Sequence, residues 1–395
     1  MPPIYRLFML LLLAVTMILT ACGGAAPAAP SVADGAPTAP RVPPTTIPPT
    51  IVPNEAADPT AGSPSAIPSA QPTALGADCQ MIKHVAGEAA VCGQPQKVVA
   101  LGAQLLDVVV ALGVQPVGYG GLLPTESKEL LGADIPYTGD QVTGSIVNVG
   151  NALEPSLAIL AELKPDLIVG VHNPDNPQFH AVLSTYAPTL LFNDQTTQDW
   201  KTNMQVIGQV LGHEAEAQQI IAAYDQRLAA ERDALRPFVS QHGRLLVVSA
   251  ALEQLDQNVY VDKPIDALSE LLTDVGFEWL MPSDPNLVWD GKRTTLPPQS
   301  LSTLDPDTMI IVSATFAPSS LAPTRLAGTG QHHPYFDVNA VKTAWVQKPE
   351  LRDMRACQEG RCYFVDYMLW LSIRGPLASH RILDELHTQL LTSKD

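Results

Sequence analysis

The chain predicts an α/β fold: two Rossmann-like lobes with mostly parallel sheets, joined by one long rigid helix, with a ligand cleft between them. Three observations predict it. Residues 149–170 (VGNALEPSLAILAELKPDLIVG) read as loop, helix, tight turn and buried strand. The same helix, proline, strand order returns at 300–313. Between them, 213–236 contain neither proline nor glycine and predict a helix about 36 Å long, a rigid spacer.

The chain opens on a targeting segment, 1–21. Its apolar run at 7–19 follows Arg6 and is too short and wrongly flanked to span a membrane, as in a signal-peptide core. The run ends in Leu19-Thr20-Ala21-Cys22, which resembles a bacterial lipobox, whose cysteine is lipidated and becomes the new N-terminus. Residues 22–77 are rich in Pro, Ala, Thr and Ser with almost no aromatic residues. They bury too little apolar surface to offset chain entropy and predict a semi-extended tether. At roughly 3.1 Å per residue its reach is at most about 160 Å.

The N-terminal lobe, 78–197, predicts a strand at 96–101, a helix at 103–112 stopped by Gly113, and a strand at 115–119. Within 149–170, Pro155 suits the first helical position, where its missing amide would be unpaired anyway. Leu157, Leu160 and Ala161 then share a face, and Lys164-Pro165 ends the helix because the residue before proline is pushed out of the α region. Residues 166–171 form an apolar run of the kind covered on both faces, and 189–193 a further strand. The segment 198–238 is helical throughout. The C-terminal lobe, 239–395, predicts strands at 244–250, 259–261, 309–313 and 362–366, an amphipathic helix at 264–275 and a closing helix at 376–391. Strand–helix–strand units require right-handed crossovers, and their ligands sit beyond the carboxyl ends of the strands. In the first lobe those ends are the loops 102–104, 120–123, 151–153 and 172–176.

Charge and cysteine content narrow the function. A net charge of −17 argues against a nucleic-acid partner, which needs a basic face. Five cysteines less a lipidated Cys22 leave Cys79, Cys92, Cys357 and Cys362, and an even number in an exported chain predicts disulfides between near neighbours. Cys79 and Cys92 flank a hairpin turning near Ala86-Gly87, and Cys357 and Cys362 flank a short turn. Loops of these sizes are worth roughly 3 and roughly 2 kcal/mol in the chain-entropy model. The sequence has no Gly-x-Ser-x-Gly elbow, no His-Glu-x-x-His helix and no Cys–His pair with a placed third group, so an enzyme is not expected.

Residues 97–119 (KVVALGAQLLDVVVALGVQPVGY), 149–170 and 362–386 (CYFVDYMLWLSIRGPLASHRILDEL), in that order behind the lipobox, resemble the substrate-binding proteins of ABC importers for ferric siderophores, cobalamin and haem. The resemblance covers about 79–391. It implies capture of a ferric siderophore by a monomer lipid-anchored at the outer face of the cytoplasmic membrane, and delivery to an ABC permease. Iron enters only as part of the chelate, with no cofactor. Cobalamin or haem is the alternative ligand, and a sensor lobe no longer coupled to transport the alternative role. The joining helix implies modest lobe closure.

A site for such a chelate needs aromatic faces for rings and aliphatic arms, and a cation or hydrogen-bond donors for the oxygens around iron. Trp289 and Trp370 stand where the resemblance implies cleft aromatics. Arg374, four residues after Trp370, offers a guanidinium to anionic oxygens. Tyr119, at a strand end, is a candidate ring contact, and His172, at the mouth of a cleft loop, a candidate donor or iron ligand. Lys292 and Arg293 read as solvated. His332 and His333 read as a surface feature without a third ligand, and no metal site is assigned. Two departures stand out. The arginine that holds the chelate in hydroxamate-binding members is Ala152 here, and the glutamates presented to the permease are Ala158 and Gln299. Glu154 and Glu162 lie nearby on other faces of that helix.

Overall fold

The computed structural model describes residues 78–121, 127–314 and 337–392. The signal segment, Cys22, the tether, His332 and His333 lie outside the described residues. Among those described, no helix is long and apolar enough to cross a membrane.

A hairpin comes first, β1 (Cys79–His84) and β2 (Gly87–Cys92), turning at Val85-Ala86 and closed at its base by the Cys79–Cys92 disulfide. The first lobe continues with β3 (Val98–Leu101), α1 (Ala103–Ala111), β4 (Gly118–Gly121), β5 (Glu129–Leu131), β6 (Ser145–Asn151) and β7 (Glu154–Pro155). It ends with α2 (Leu157–Leu163), β8 (Leu167–Val171), α3 (Phe179–Leu183) and β9 (Thr189–Phe192). The sheet order is β5-β6-β4-β3-β8-β9, parallel from β6 to β9, with β5 and β7 antiparallel against β6.

Two helices, α4 (Thr197–Leu211) and α5 (Glu214–His242), lead to the second lobe. There the chain forms β10 (Arg244–Ala251), β11 (Val259–Asp262), α6 (Ala267–Val275), β12 (Glu278–Trp279), β13 (Arg293–Leu296) and β14 (Thr308–Ala314). After 337 come α7 (Val338–Val346), α8 (Pro349–Arg352), α9 (Arg355–Gln358), β15 (Cys362–Asp366) and α10 (Pro376–His387). The order is β13-β11-β10-β14-β15: a parallel centre of β10, β14 and β15 with an antiparallel β11–β13 ribbon on its edge. A second disulfide joins Cys357 to Cys362.

Strand alternation explains how the lobes are held. Val98, Ala100, Val169 and Leu190 face one way, while Val99, Leu101, Ile168 and Leu191 face an outer core under α2 and α3. The first set belongs to one core that passes through α1, α4, α5, α6 and α10 to Leu245, Val247, Ile310 and Val312 of the second sheet. Each sheet therefore gives one face to a common core. The other face of the second sheet, with Leu246, Val248 and Ile311, packs under α7 through Val341 and Trp345.

Several boundaries differ from expectation for local reasons. Pro155 is not the first residue of α2. It pairs in β7 with Gly150, and Ser156 is the N-cap, its Oγ accepting from the Ile159 amide. Proline's fixed φ suits an extended strand as well as a helix, and the serine satisfies the amide that decides the start. The expected strand at 115–119 is observed as Gly118–Gly121. The helix expected from 264 starts at Ala267 behind an Asp266–Ser269 capping box, and 298–303 form a tight 3-10 turn in place of an α-helix. The joining helix continues past Arg236 through Pro237 to His242, 29 residues, so its length is about 44 Å. Packing against α4, α6 and α10 outweighs the hydrogen bond that Pro237 removes. The closing helix ends at His387 and continues as a π-helical turn, Thr388–Thr392.

Candidate ligand site

The lobes meet at the carboxyl ends of the first lobe's strands. Gly102 turns β3 into α1 with φ 114°, and a Cβ there would lie 2.5 Å from Val171 Cγ2, so the turn lies tight against β8. That close approach positions Gln104. Its Nε2 donates to the carbonyls of Asp194 and Arg374, 3.1 Å each, while Asn203 Nδ2 donates to Gln104 Oε1 and to Asn193 O, 2.7 Å each. The loop after β9 is thereby tied to both lobes. Its next residue, Gln195, accepts from the Ala267 amide at 2.9 Å and, through Oε1, from Lys292 Nζ at 2.7 Å.

Trp289 stands at this junction, half-buried and bridged to Thr294. Lys263 Nζ lies 5.0 Å from its ring centroid, and the Lys263 amide donates to Lys292 O at 2.7 Å. Lys292 is exposed as expected, but Arg293 is not simply solvated. It pairs with Asp262 at 3.2 Å and covers the Tyr260 ring at 5.6 Å. Burial pushes the Asp262 carboxyl up, while Ser249 Oγ donates to it at 2.6 Å. Asp290 accepts from the amides of Arg293 (2.8 Å) and Lys292 (3.0 Å), which hold its carboxyl below the usual range.

Other predicted residues have different environments. Trp370 is 1% exposed in the common core, its Nε1 donating to Glu385 Oε2 at 2.7 Å, so it anchors the fold and does not face a ligand. Arg374 sits at a left-handed φ of 55°, with Nε donating to Leu371 O at 2.7 Å and Nη1 to Asp194 O at 3.1 Å. Its guanidinium is spent on lobe-junction carbonyls. Tyr119 is half-buried with its ring over Gly121, where a Cβ would lie 3.0 Å from Oη, and burial pushes its phenol up. Ala152, at the position of the expected arginine, is 1% exposed in the outer core and has no path to a ligand.

His172 donates its amide to Phe192 O at 2.8 Å, while its buried Nδ1 has no hydrogen-bond partner. The same is true of His84 Nε2, and the His84 and His180 rings lie 4.6 Å apart. Burial, then His180 and His172, pull His84 down to about 4. Among the described residues, no three His, Cys, Asp or Glu side chains are grouped to hold a metal ion.

Two further cross-lobe contacts carry no cue in the sequence. Tyr137, at φ 61°, leaves the first lobe to pack with Tyr367, Met368 and Ala314 at the carboxyl ends of β14 and β15; burial and then Asp366 push its phenol up. Asp107 of α1 is fully buried and accepts the amides of Leu377 (2.9 Å) and Ala378 (3.1 Å), the first turn of α10. Burial pushes its carboxyl up to about 7 against the pull of those amides. Nearby, Arg381 of α10 pairs with Asp140.

Two sheet-based lobes over a common core, a long connecting helix, and a junction of rings and cations define a two-lobed solute-binding protein. The family model described as Periplasmic binding protein matches residues 98–367, and the chain belongs to that family. Among curated proteins, it is 24% identical over 322 residues to YhfQ of Bacillus subtilis, provisionally named an ABC transporter substrate-binding lipoprotein, covering 79% of this chain and 89% of the relative. It is 24% identical over 301 residues to the Fe(3+)-citrate-binding protein YfmC of the same organism, covering 75% and 82%. Among solved structures, Staphylococcus aureus SirA complexed with staphyloferrin B shares the fold with a TM-score of 0.57 at 23% identity, over 79% of this chain and 98% of that one.

Proposed function

We propose that the protein captures a ferric siderophore at the lobe junction and delivers it to an ABC permease. The observation that carries this is the junction itself. In a family of binding proteins, Trp289, Lys263 and Lys292 gather a ring and two ammonium groups on the second lobe, where Lys292 meets Gln195 of the loop after the first lobe's β9. Ring faces and cations suit a large anionic iron chelate. The role is binding without catalysis, with iron belonging to the ligand. A lipid on Cys22 holds the chain at the outer face of the cytoplasmic membrane, and 22–77 act as its tether. Ala158 and Gln299 carry no charge to a permease, so the exposed Glu154 and Glu162 of the first lobe take that part.

Calorimetric titration of the full-length chain in detergent tests this reading against ferric citrate, ferric 2,3-dihydroxybenzoate, ferrioxamine B, cyanocobalamin and haem. Saturable binding of a ferric chelate, at about micromolar Kd or tighter, is expected. Binding of cyanocobalamin or haem alone, or of nothing in the panel, overturns it. Cys22→Ser should move the protein from the membrane fraction to the soluble one.

A further inference from the structure

Resting on that reading, we propose that Tyr137 is a specificity-determining residue: its phenol fills the ligand position at the carboxyl ends of β14 and β15, so that the site admits compact ferric chelates and turns away extended ones. In parallel sheets, ligands sit beyond the carboxyl ends of the strands. In the second lobe Ala314 closes β14, Asp366 closes β15, and the two strands are neighbours. A ring from the first lobe lies over those ends. Tyr137 packs with Ala314, Met368 and Tyr367, and its hydroxyl donates to the Asp366 carboxylate. Asp366 Oδ1 also accepts the amides of Met368 (2.8 Å) and Leu369 (3.1 Å), so the acceptor is itself held in place. The chain thus supplies, from its own opposite lobe, a ring and a hydroxyl where a ligand would bring them.

The loop that carries the ring is built to hold it still. Two tight turns, Gly132–Asp134 and Gly139–Gln141, press backbone to backbone, and a Cβ on either Gly132 or Gly139 would run into the other's carbonyl oxygen. The amides of Ile135 and Gly139 close the loop, donating to Gly132 O and Ile135 O at 3.1 Å each. Tyr137 stands at the tip with φ 61°, a left-handed conformation that strains a bulky residue and persists only where the surroundings fix it. Its neighbours Ile135 and Thr138 are buried, and Asp140 pairs with Arg381 of α10. A ligand that pushed the loop aside would break the Asp366 bond and the Asp140–Arg381 pair together. The phenol is therefore a fixed wall, and it discriminates by clash with the wrong ligand.

The test compares full-length wild type, Tyr137→Gly and Tyr137→Phe. Glycine is at ease at φ 61°, so it removes the ring without straining the loop, and matched thermal unfolding should show that both variants fold. Each chain is titrated with two pairs that share iron chemistry and differ in size: ferric 2,3-dihydroxybenzoate against ferric enterobactin, and ferric acetohydroxamate against ferrioxamine B. Wild type should prefer the compact member of a pair. Tyr137→Gly should bind the extended member about tenfold or more tighter than wild type does, with the compact member changed by less than about threefold. Tyr137→Phe keeps the ring and should match wild type within about threefold. Millimolar p-cresol, the tyrosine side chain as a free molecule, should refill the space in Tyr137→Gly and reverse the gain. Extended-chelate binding unchanged in Tyr137→Gly overturns the proposal, as does a gain that p-cresol leaves intact. So does an equal loss for both members of a pair, which is what a residue that only joins the lobes would give, or a wild-type chain that prefers the extended member of both pairs. In each of these results the siderophore reading survives. If none of the three chains binds any of the four complexes or ferric citrate, that reading is overturned, and this inference falls with it.

Discussion

The carboxylate of Asp107 belongs to α1 but caps a helix of the other lobe, and no water reaches it. Asp107→Ala leaves two first-turn amides of α10 buried and unpaired, which should cost about 3 kcal/mol in urea unfolding. Its pH dependence has a definite sign. The folded carboxyl is raised from 3.8 to about 7, so the native state favours the protonated form. That contribution is complete below about 3.8 and lost as pH rises through about 7. The stability of wild type relative to Asp107→Asn should therefore decline between those values and level off above. A flat difference would mean that the two amides hold the carboxylate ionised throughout. His84 acts in the opposite direction. Held down from 6.5 to about 4, it favours the neutral native form, and its contribution is present above 6.5 and lost as pH falls toward 4. His84→Phe keeps a ring against His180 without the charge, so wild type should lose stability relative to it over that interval. Equal acid sensitivity of the two proteins would remove His84 as the cause.

Helices and strands divide into those legible in the sequence and those decided elsewhere. The strands β3, β8, β10, β14 and β15 were legible because each is a short apolar run with turn residues at its ends, and the hairpin because two cysteines frame a glycine turn. The start of α2 was not, since Pro155 fits both a strand and a helix and only the Ser156 cap decides between them. The end of α5 was hidden for a related reason. Proline reads as a stop, but packing carries the helix five residues past Pro237 to His242. The carbonyl of Asp233, four residues earlier, is left without its helical amide partner. Pro237→Ala should restore that bond. Part of the gain is offset by a freer unfolded chain, and a net rise of about 1–2 kcal/mol is expected by urea unfolding. A loss would show that α5 needs the break to meet α6 and α10. Trp289 and Trp370 were singled out by the same resemblance, yet Trp289 is half-buried beside Lys263 while Trp370 is core. Indole chemistry is identical in both places, and only the Glu385 partner and the common core separate them. Lys263 and Tyr137 gave no signal, because each sits in an irregular segment and gains its meaning from the opposite lobe or a neighbouring loop.

At the scale of the molecule, the lobes are less independent than two sheets and a joining helix suggest. The common core runs under both sheets, and α10 returns from the second lobe to lay its N-terminus on α1. That contact has no spare room. A Cβ on Gly375 would stand 2.5 Å from the Asp107 carboxyl, so glycine there serves close approach, since its φ of −106° is open to any residue. Three other links act in the same sense: Arg374 on Asp194 O, Lys292 on Gln195 and Arg381 on Asp140. A molecule so tied should close on its ligand by small shifts around the 193–195 loop, with no wide hinge. Gly375→Ala tests this directly, because it must drive α10 and α1 apart while leaving every other contact residue in place. It should lower stability by about 1–3 kcal/mol, as overpacking of a close contact does. Hydrogen exchange of the Leu377 and Ala378 amides should quicken by about tenfold or more, with the amides of β14 unchanged, because local opening of the α10–α1 contact does not unfold the central sheet. Unchanged protection at Leu377 and Ala378 would show that α10 can shift without releasing Asp107, and the lobes would then be free to move about that end. Faster exchange throughout β14 would instead make the α10–α1 contact part of the global fold.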